Sequence, residues 1–398
     1  MRNTIAAAAT IALLIGGAAE AGTPSPATAP VSATLPPYAP AYEPRSVDER
    51  GLWMETDEYE RRLKDSPLLV KDVELQNYVR KVLCETVGDN RCGSVRIYIL
   101  EVPALNASMT PNGALTVWTG LLLRAQNEAQ LGAVLGHEFA HFELRHTLSA
   151  FKQRRKATDL LAWAQVLGGL TNTDTTGLQL SLIGSMFRYS RDEEKQADLL
   201  ALKYLAASPY PSSEFARIWQ NMMAEEDATA AGRKVKSKHR YTAGFFDDHP
   251  TDLDRANYLA SAAQAMGDSG DPQVAGHYAA IGHILPRLLA DQTKLNDFGG
   301  SDYILNEMAA LHGWTPDLLF ARGQMYTLRG NPRDLLTASQ FYRQALNGGL
   351  NDPVAHRELG LTLLKSGSAG EAKPEFEKYL QLVPGASDAR VIKTLLSE

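Results

Sequence analysis

Two histidines four residues apart, with a glutamate directly after the first, form the stretch His137-Glu138-Phe139-Ala140-His141. They can act together only on an α-helix. A four-residue step returns to nearly the same helical face, so both imidazoles can point at one tetrahedral ion while Glu138 stands beside them. The surrounding LGAVLGHEFAHFELRH (131–146) suits such a helix. Asn127, with Gln130 three residues on in the capping-box position, marks its start, and the pattern predicts a helix running to about His146. A zinc ion held this way needs a third protein ligand. The longer motif with glycine at 144 and histidine at 147 is excluded, because Leu144 and Thr147 stand there. His146 lies five residues past His141, off the ligand face, and reads as a helix-end histidine near the C-terminal dipole.

The third ligand is sought in SRDEEKQADLLALKYLAA (190–207). Ser190 and Glu193 form a capping box, so a helix begins there and the Glu193 side chain folds back on the Ser190 amide. Glu194 is then left to face the histidine helix. Asp198 follows one turn later on the same face, and Ala197 and Ala201 keep that face slim enough to press against a neighbour. In this geometry Glu194 is the third ligand and Asp198 accepts a hydrogen bond that fixes the tautomer of one zinc histidine. Read alone, Glu194 is equally a solvated acidic helix start that favours the dipole. One zinc per chain is expected.

The rest of the chain sets the context. MRNTIAAAATIALLIGGAAEA (1–21) has one basic residue, an apolar run and a small-x-small ending, which predicts an export signal cleaved after Ala21; the alternative is a retained anchor. Residues 22–46, rich in Pro, Ala, Ser and Thr, read as an extended linker. Cys84 and Cys92, eight apart, can close a disulfide in an oxidising compartment or remain two buried thiols. With 398 residues there is room for two domains, and a net charge of −6 gives no electrostatic reason to expect nucleic acid. The basic runs 151–156 and 232–240 read as solvated helix ends or loops.

A helix is predicted over 69–88 and strands over 94–102 and 114–120, joined through PALNASMTPNG. The apolar LLAWAQVLGGL (160–170) is too short for a bilayer, which needs about 20 residues, and reads as a buried or amphipathic helix. Two later segments, from Pro316 and Pro353, repeat a glycine seven residues on (Gly323, Gly360) and an Ala-x-x-x-aromatic pair (Ala338 with Tyr342, Ala372 with Phe376). This is similar to the tetratricopeptide repeat, whose helix pairs bury a face by stacking on neighbours. The helices before them, around 277–291 and 301–314, are expected to extend the stack. The resulting division is 47–265 for the metal-binding domain and 266–398 for the helical repeats.

These residues together resemble the gluzincin metallopeptidases related to the CaaX prenyl protease and the HtpX heat-shock protease, metallopeptidase family forty-eight. The resemblance rests on HExxH at 137–141, on Glu194 to Asp198 as ExxAD, on NASMTPNG (106–113), and on His249-Pro250 followed by Arg255, spanning about residues 70–260. With the export signal and the repeats, the match is to the periplasmic BepA-like subgroup. Membrane-embedded relatives have spanning helices, and none is found here after the signal.

The resemblance implies an α+β fold, mostly α: a zincin-type metalloprotease domain with a small β-sheet, then a tetratricopeptide-repeat solenoid. It implies Asn106 and Ala107 on a strand edge that grips extended peptides, although Asn106 reads equally as a turn residue. For His249 it implies either an oxyanion-stabilising role or a fourth zinc ligand that keeps the enzyme silent; a plain loop histidine is the other reading. Arg255 orders that loop or pairs with nearby acids.

In the expected mechanism, zinc on His137, His141 and Glu194 lowers the pKa of a water to about 7 and Glu138 takes its proton. The function expected is a periplasmic zinc endopeptidase that degrades misfolded or stalled exported proteins. Its repeats would engage outer-membrane assembly machinery, with peripheral membrane association. The alternative is a repeat-based chaperone or adaptor with a structural or normally closed zinc site.

Overall fold

A computed structural model describes residues 43–156, 189–237, 252–331 and 333–397. The signal reading, most of the linker, the apolar segment 160–170 and His249 lie outside the described residues.

Helix α1 (Val47–Lys64) opens with a reciprocal cap, in which the Ser46 hydroxyl accepts from the Glu49 amide and the Glu49 carboxylate accepts from the Ser46 amide. Helix α2 (Val73–Val87) starts at Asp72, whose carboxylate accepts from the Leu75 amide, and ends at Gly88 with φ of 95°. The short α3 (Asp89–Cys92) follows, and a Cys84–Cys92 disulfide ties it to the last turn of α2. Strands β1 (Arg96–Leu100), β2 (Ala107–Met109) and β3 (Ala114–Trp118) form one sheet in the order β1-β3-β2. In it β1 runs parallel and β2 antiparallel to β3. The sequence pattern read the β2 segment as a connection, and the correction has a simple cause. Three residues between a Pro-Ala-Leu-Asn entry and a Thr-Pro-Asn-Gly exit are too few to show alternation.

Next come α4 (Thr119–Arg124), α5 (Glu128–Glu143), α6 (His146–Lys156), α7 (Arg191–Ala206), α8 (Glu214–Gly232) and α9 (Asp252–Met266). Helix α5 is the central element. Its Asn127 cap accepts from the Gln130 amide at 2.8 Å, while the Gln130 side chain reaches back to the amide of Gln126 at 3.0 Å. The helix ends at Glu143, not at His146 as its sequence suggests. Arg145 adopts a left-handed φ of 60°, which breaks the helix and starts α6. Glu143 is anchored by Arg91 Nε at 3.0 Å and the Tyr204 hydroxyl at 2.7 Å, so the disulfide-bounded turn, α5 and α7 share one polar contact.

Small residues bring the helices around α5 close. A Cβ on Gly132 would run into Thr86 of α2, and one on Gly136 would lie 3.8 Å from the Cβ of Ala201 on α7. Ala197 and Ala201 are both fully buried. The slim face read from the sequence is the face that packs.

Five helices follow: α10 (Val274–Ile281), α11 (Leu285–Lys294), α12 (Phe298–His312), α13 (Pro316–Arg329) and α14 (Asp334–Asn347). The chain closes with α15 (Val354–Lys365), α16 (Ala369–Leu382) and α17 (Ala389–Ser397). A single hydrophobic core runs from Val70 to Met325, so Ile281, Leu288 and Ile304 bury into the same core as α5. A second core, from Ala338 to Ile392, lies among the last helices. The repeat seen in the sequence is also one of contact. A Cβ on Gly323 would meet the Tyr342 ring at 2.6 Å, and a Cβ on Gly360 would meet the Phe376 ring at the same distance. Among the described residues no helix is long and apolar enough to cross a membrane.

Because that space is filled, Gly360→Ala should cost about 1–3 kcal/mol through overpacking against Phe376. Urea unfolding followed by circular dichroism would show it, and an unchanged midpoint would contradict the close approach.

Candidate metal centre

Helices α5 and α7 bring His137, His141 and Glu194 together, all three buried. The two Nε2 atoms are 3.1 Å apart. Glu194 Oε2 lies 3.5 Å from His137 Nε2, and its Oε1 lies 3.5 Å from His141 Nε2. Ligand atoms bound tetrahedrally at about 2.0–2.2 Å from an ion stand about 3.3–3.6 Å from one another, so the two carboxylate distances suit such an ion and the imidazoles need part only slightly. Two imidazoles and a carboxylate are also a donor set that zinc favours.

Two capping motifs fix these side chains. Asn127 sets the register of α5, and the Ser190/Glu193 box does so for α7, with the Glu193 amide 3.3 Å from Ser190 Oγ and the Ser190 amide 2.9 Å from Glu193 Oε2. With Glu193 turned back on the cap, Glu194 points inward, fully buried.

Asp198, one turn beyond Glu194, takes the other side of His137. Its Oδ1 lies 2.9 Å from His137 Nδ1, so His137 donates there and turns Nε2 toward Glu194. The same carboxylate accepts from Arg255 on α9, through Nε at 2.9 Å and Nη2 at 2.5 Å, and from the Tyr258 hydroxyl. Arg255 is 2% exposed and stacks on Trp219, its guanidinium carbon 3.8 Å from the ring centre. Arg255 is therefore placed by the acid that orients His137, one of the two roles its sequence position offered. The other role concerns the loop of His249, which lies outside the described residues.

The electrostatics also favour a cation. Three carboxylates (Glu138, Glu194, Asp198) face one guanidinium in a buried space. Burial opposes the charged form of Asp198, but Arg255 and then His137 outweigh it and hold its carboxyl well below the usual range. Burial likewise opposes charge on His137, yet Asp198 and Glu194 overcome it and raise the imidazole to about 9. With burial dominant, His141 falls to about 3. A dication on these nitrogens must expel the His137 proton, which couples metal uptake to pH. Burial pushes the Glu138 carboxyl up to about 7, near the value that suits a general base at neutral pH.

Ala107 opens β2, which packs beside α5, and Asn106 immediately precedes it, its carbonyl accepting from the Trp118 amide at 3.0 Å. The sequence reading missed three neighbours of the centre. Tyr258 sits one turn after Arg255 on the same face of α9, a spacing that could have flagged it. Tyr189 precedes the Ser190 cap, a position whose side chain packs toward the fourth helical residue, here Glu194. Its ring stacks on His141, with centroids 3.9 Å apart and planes 17° apart. His146 is the third, and it is a correction. It does not close the α5 helix near its C-terminal dipole: it opens α6 and is 4% exposed, with Nδ1 2.9 Å from His141 Nδ1.

Two helices crossing so that HExxH meets a glutamate and its aspartate one turn on define a two-helix, His-His-Glu metal centre. Residues 71–263 match the model of Peptidase family M48, and this stretch is a domain of that family. The chain is similar to the mitochondrial metalloendopeptidase OMA1 of Schizosaccharomyces pombe, 26% identical over 168 residues that make up 41% of this chain and 48% of that protein. A Vibrio cholerae protein provisionally named beta-barrel assembly-enhancing protease is 23% identical over 182 residues, 42% of this chain and 37% of that protein. The metalloprotease YcaL of Escherichia coli is 24% identical over 184 residues, 44% and 66% of the two chains. The chain thus spans about half or less of the length of the first two relatives.

Replacing Asp198 with Ala would strip the buried Arg255 of its main partner, leaving Glu194 at 3.9 Å. A loss of about 3–5 kcal/mol is expected in urea, measured with a chelator present so that metal release does not contribute.

Proposed function

We propose that the chain is a zinc-dependent endopeptidase of the bacterial periplasm, acting on misfolded or stalled exported proteins. The observation that carries this reading is the meeting of His137, His141 and Glu194 with Glu138 one residue from the first ligand. A zinc ion held there supplies a Lewis acid that polarises a peptide carbonyl and makes a water acidic enough to lose a proton near pH 7. Glu138 takes a proton from the attacking water and passes it to the leaving amine. His137 is kept in one tautomer by Asp198, and Arg255 balances the acid that does so.

An extended substrate would add along the unpaired edge of β2, once the cover over Ala107 and Met109, 8% and 1% exposed, is displaced. Among the described residues β2 pairs with β3 alone. Since Asn106 and Thr110 bond toward β3, the alternation of an antiparallel ladder turns the backbone groups of Ala107 and Met109 outward. A peptide adding there is held by its main chain, which suits unfolded proteins of varied sequence.

The apolar residues 1–21 and the Cys84–Cys92 disulfide both suit export to an oxidising compartment. The repeated helix pairs α13–α14 and α15–α16 suit tetratricopeptide units that deliver the enzyme to assembly machinery at the outer membrane, with peripheral membrane association. The similarity to the Vibrio cholerae protein is in line with that role. A chaperone or adaptor with a shut centre is the second reading, favoured by the burial of the ligands, of which His137 at 5% is the most exposed.

Glu138→Gln separates the two readings. The first expects zinc content unchanged and casein cleavage down by about 100-fold or more; cleavage at the wild-type rate removes Glu138 from its role. The pH profile carries the same mark. Glu138 must be ionised to accept a proton, and a cation beside it draws its carboxyl down from about 7, so hydrolysis should rise with pH and level off by about 7. Ala107→Pro deletes one outward amide on an edge strand that tolerates proline, and should raise KM for extended peptides at unchanged zinc content.

A further inference from the structure

His146 plays no part in the function proposed above, although it is buried against one of the metal ligands. Its position follows from the break after α5. The Arg145 amide bonds back to the Phe142 carbonyl at 3.1 Å, the left-handed φ at Arg145 turns the chain, and His146 opens α6 beside His141 instead of continuing away from it. The two rings meet nearly edge to face, with centroids 4.9 Å and planes 73° apart, and with Nδ1 facing Nδ1 at 2.9 Å.

That contact can be a hydrogen bond in only one sense when an ion is bound. His141 Nε2 faces His137 Nε2 and Glu194, so that nitrogen offers its lone pair to the metal and the ring carries its proton on Nδ1. His141 therefore donates, and His146 must accept on Nδ1 and keep its own proton on Nε2. His146 thus stands directly against a ligand that α5 supplies. The face of the His141 ring is covered by Tyr189, whose hydroxyl meets Thr147 Oγ1 at 2.8 Å, next to His146 in the chain.

We propose that His146 is a positioning residue for the metal centre: it accepts the Nδ1 proton of His141, fixing that ligand's tautomer and ring orientation as Asp198 does for His137. The inference rests on His137, His141 and Glu194 being the ligands. The two histidines then have unlike partners, a carboxylate for one and a neutral imidazole for the other. Partners of this kind commonly change metal affinity about 10–100-fold when removed.

The experiment compares His146→Leu, which fills the space without an acceptor, with His146→Asn, whose side-chain oxygen can take the place of Nδ1. Full-length apo protein is titrated with zinc against a chromophoric chelator, and the thermal midpoint of each apo form is recorded. The expected result is zinc binding weakened about 10–100-fold in His146→Leu and restored to within a few-fold of wild type in His146→Asn. Equal affinity in all three proteins overturns the proposal. So does equal weakening in both variants with a matching fall in apo midpoint, since that result describes packing alone. If the wild-type chain itself takes up no zinc, the reading of the centre fails first, and the two failures are thereby told apart.

Discussion

Asp198 is the charge on which the site depends. It is fully buried and is met by Arg255 from α9, Tyr258 from the same helix, and His137 from α5, so one carboxylate joins three helices. A buried carboxylate without partners would protonate or unfold its surroundings. With them it stays ionised and sets both the tautomer of a ligand and the position of α9 against the α5–α7 pair. The Trp219 ring beneath Arg255 completes the enclosure from α8.

The closeness of α5 and α7 makes this possible, and small residues produce it. Gly136, Ala197 and Ala201 let the helices approach until an i,i+4 pair on one faces an i,i+4 pair on the other. Four residues on two coils then enclose one point, with His137 shared between the metal-binding side and the acid side. Gly132 does the same for α2, which carries the disulfide-bounded turn whose Arg91 meets the end of α5. Packing and electrostatics are thus parts of one arrangement: bulkier residues at these positions would separate the charges that the centre brings together.

What could be read from the sequence was what local rules determine. Helical spacing gave the HExxH face, and the Ser190/Glu193 box gave the direction of Glu194, because both depend on residues within one or two turns. The repeated glycine-to-aromatic spacing gave two helix pairs for the same reason. Features that depend on tertiary placement were less visible. Strand β2 is three residues long and owes its extended form to pairing with β3. His146 was misplaced because Arg145 turns the chain without a glycine or proline to announce it. The helices around 277–312 were read as extending the repeat stack; Leu285–Lys294 and Phe298–His312 do pack on Pro316–Arg329, while Ile281, Leu288 and Ile304 also bury into the core built around α5, a second partner that no periodicity encodes.

The account turns on a metal ion bound where α5 and α7 meet. Anomalous X-ray scattering from crystals of the purified chain, collected on both sides of the zinc edge, would test it most directly. The account predicts one strong peak about 2.0–2.2 Å from His137 Nε2, His141 Nε2 and a carboxylate oxygen of Glu194. A chain that contains zinc but shows its peak elsewhere, or ligand distances that exclude Glu194, would contradict it.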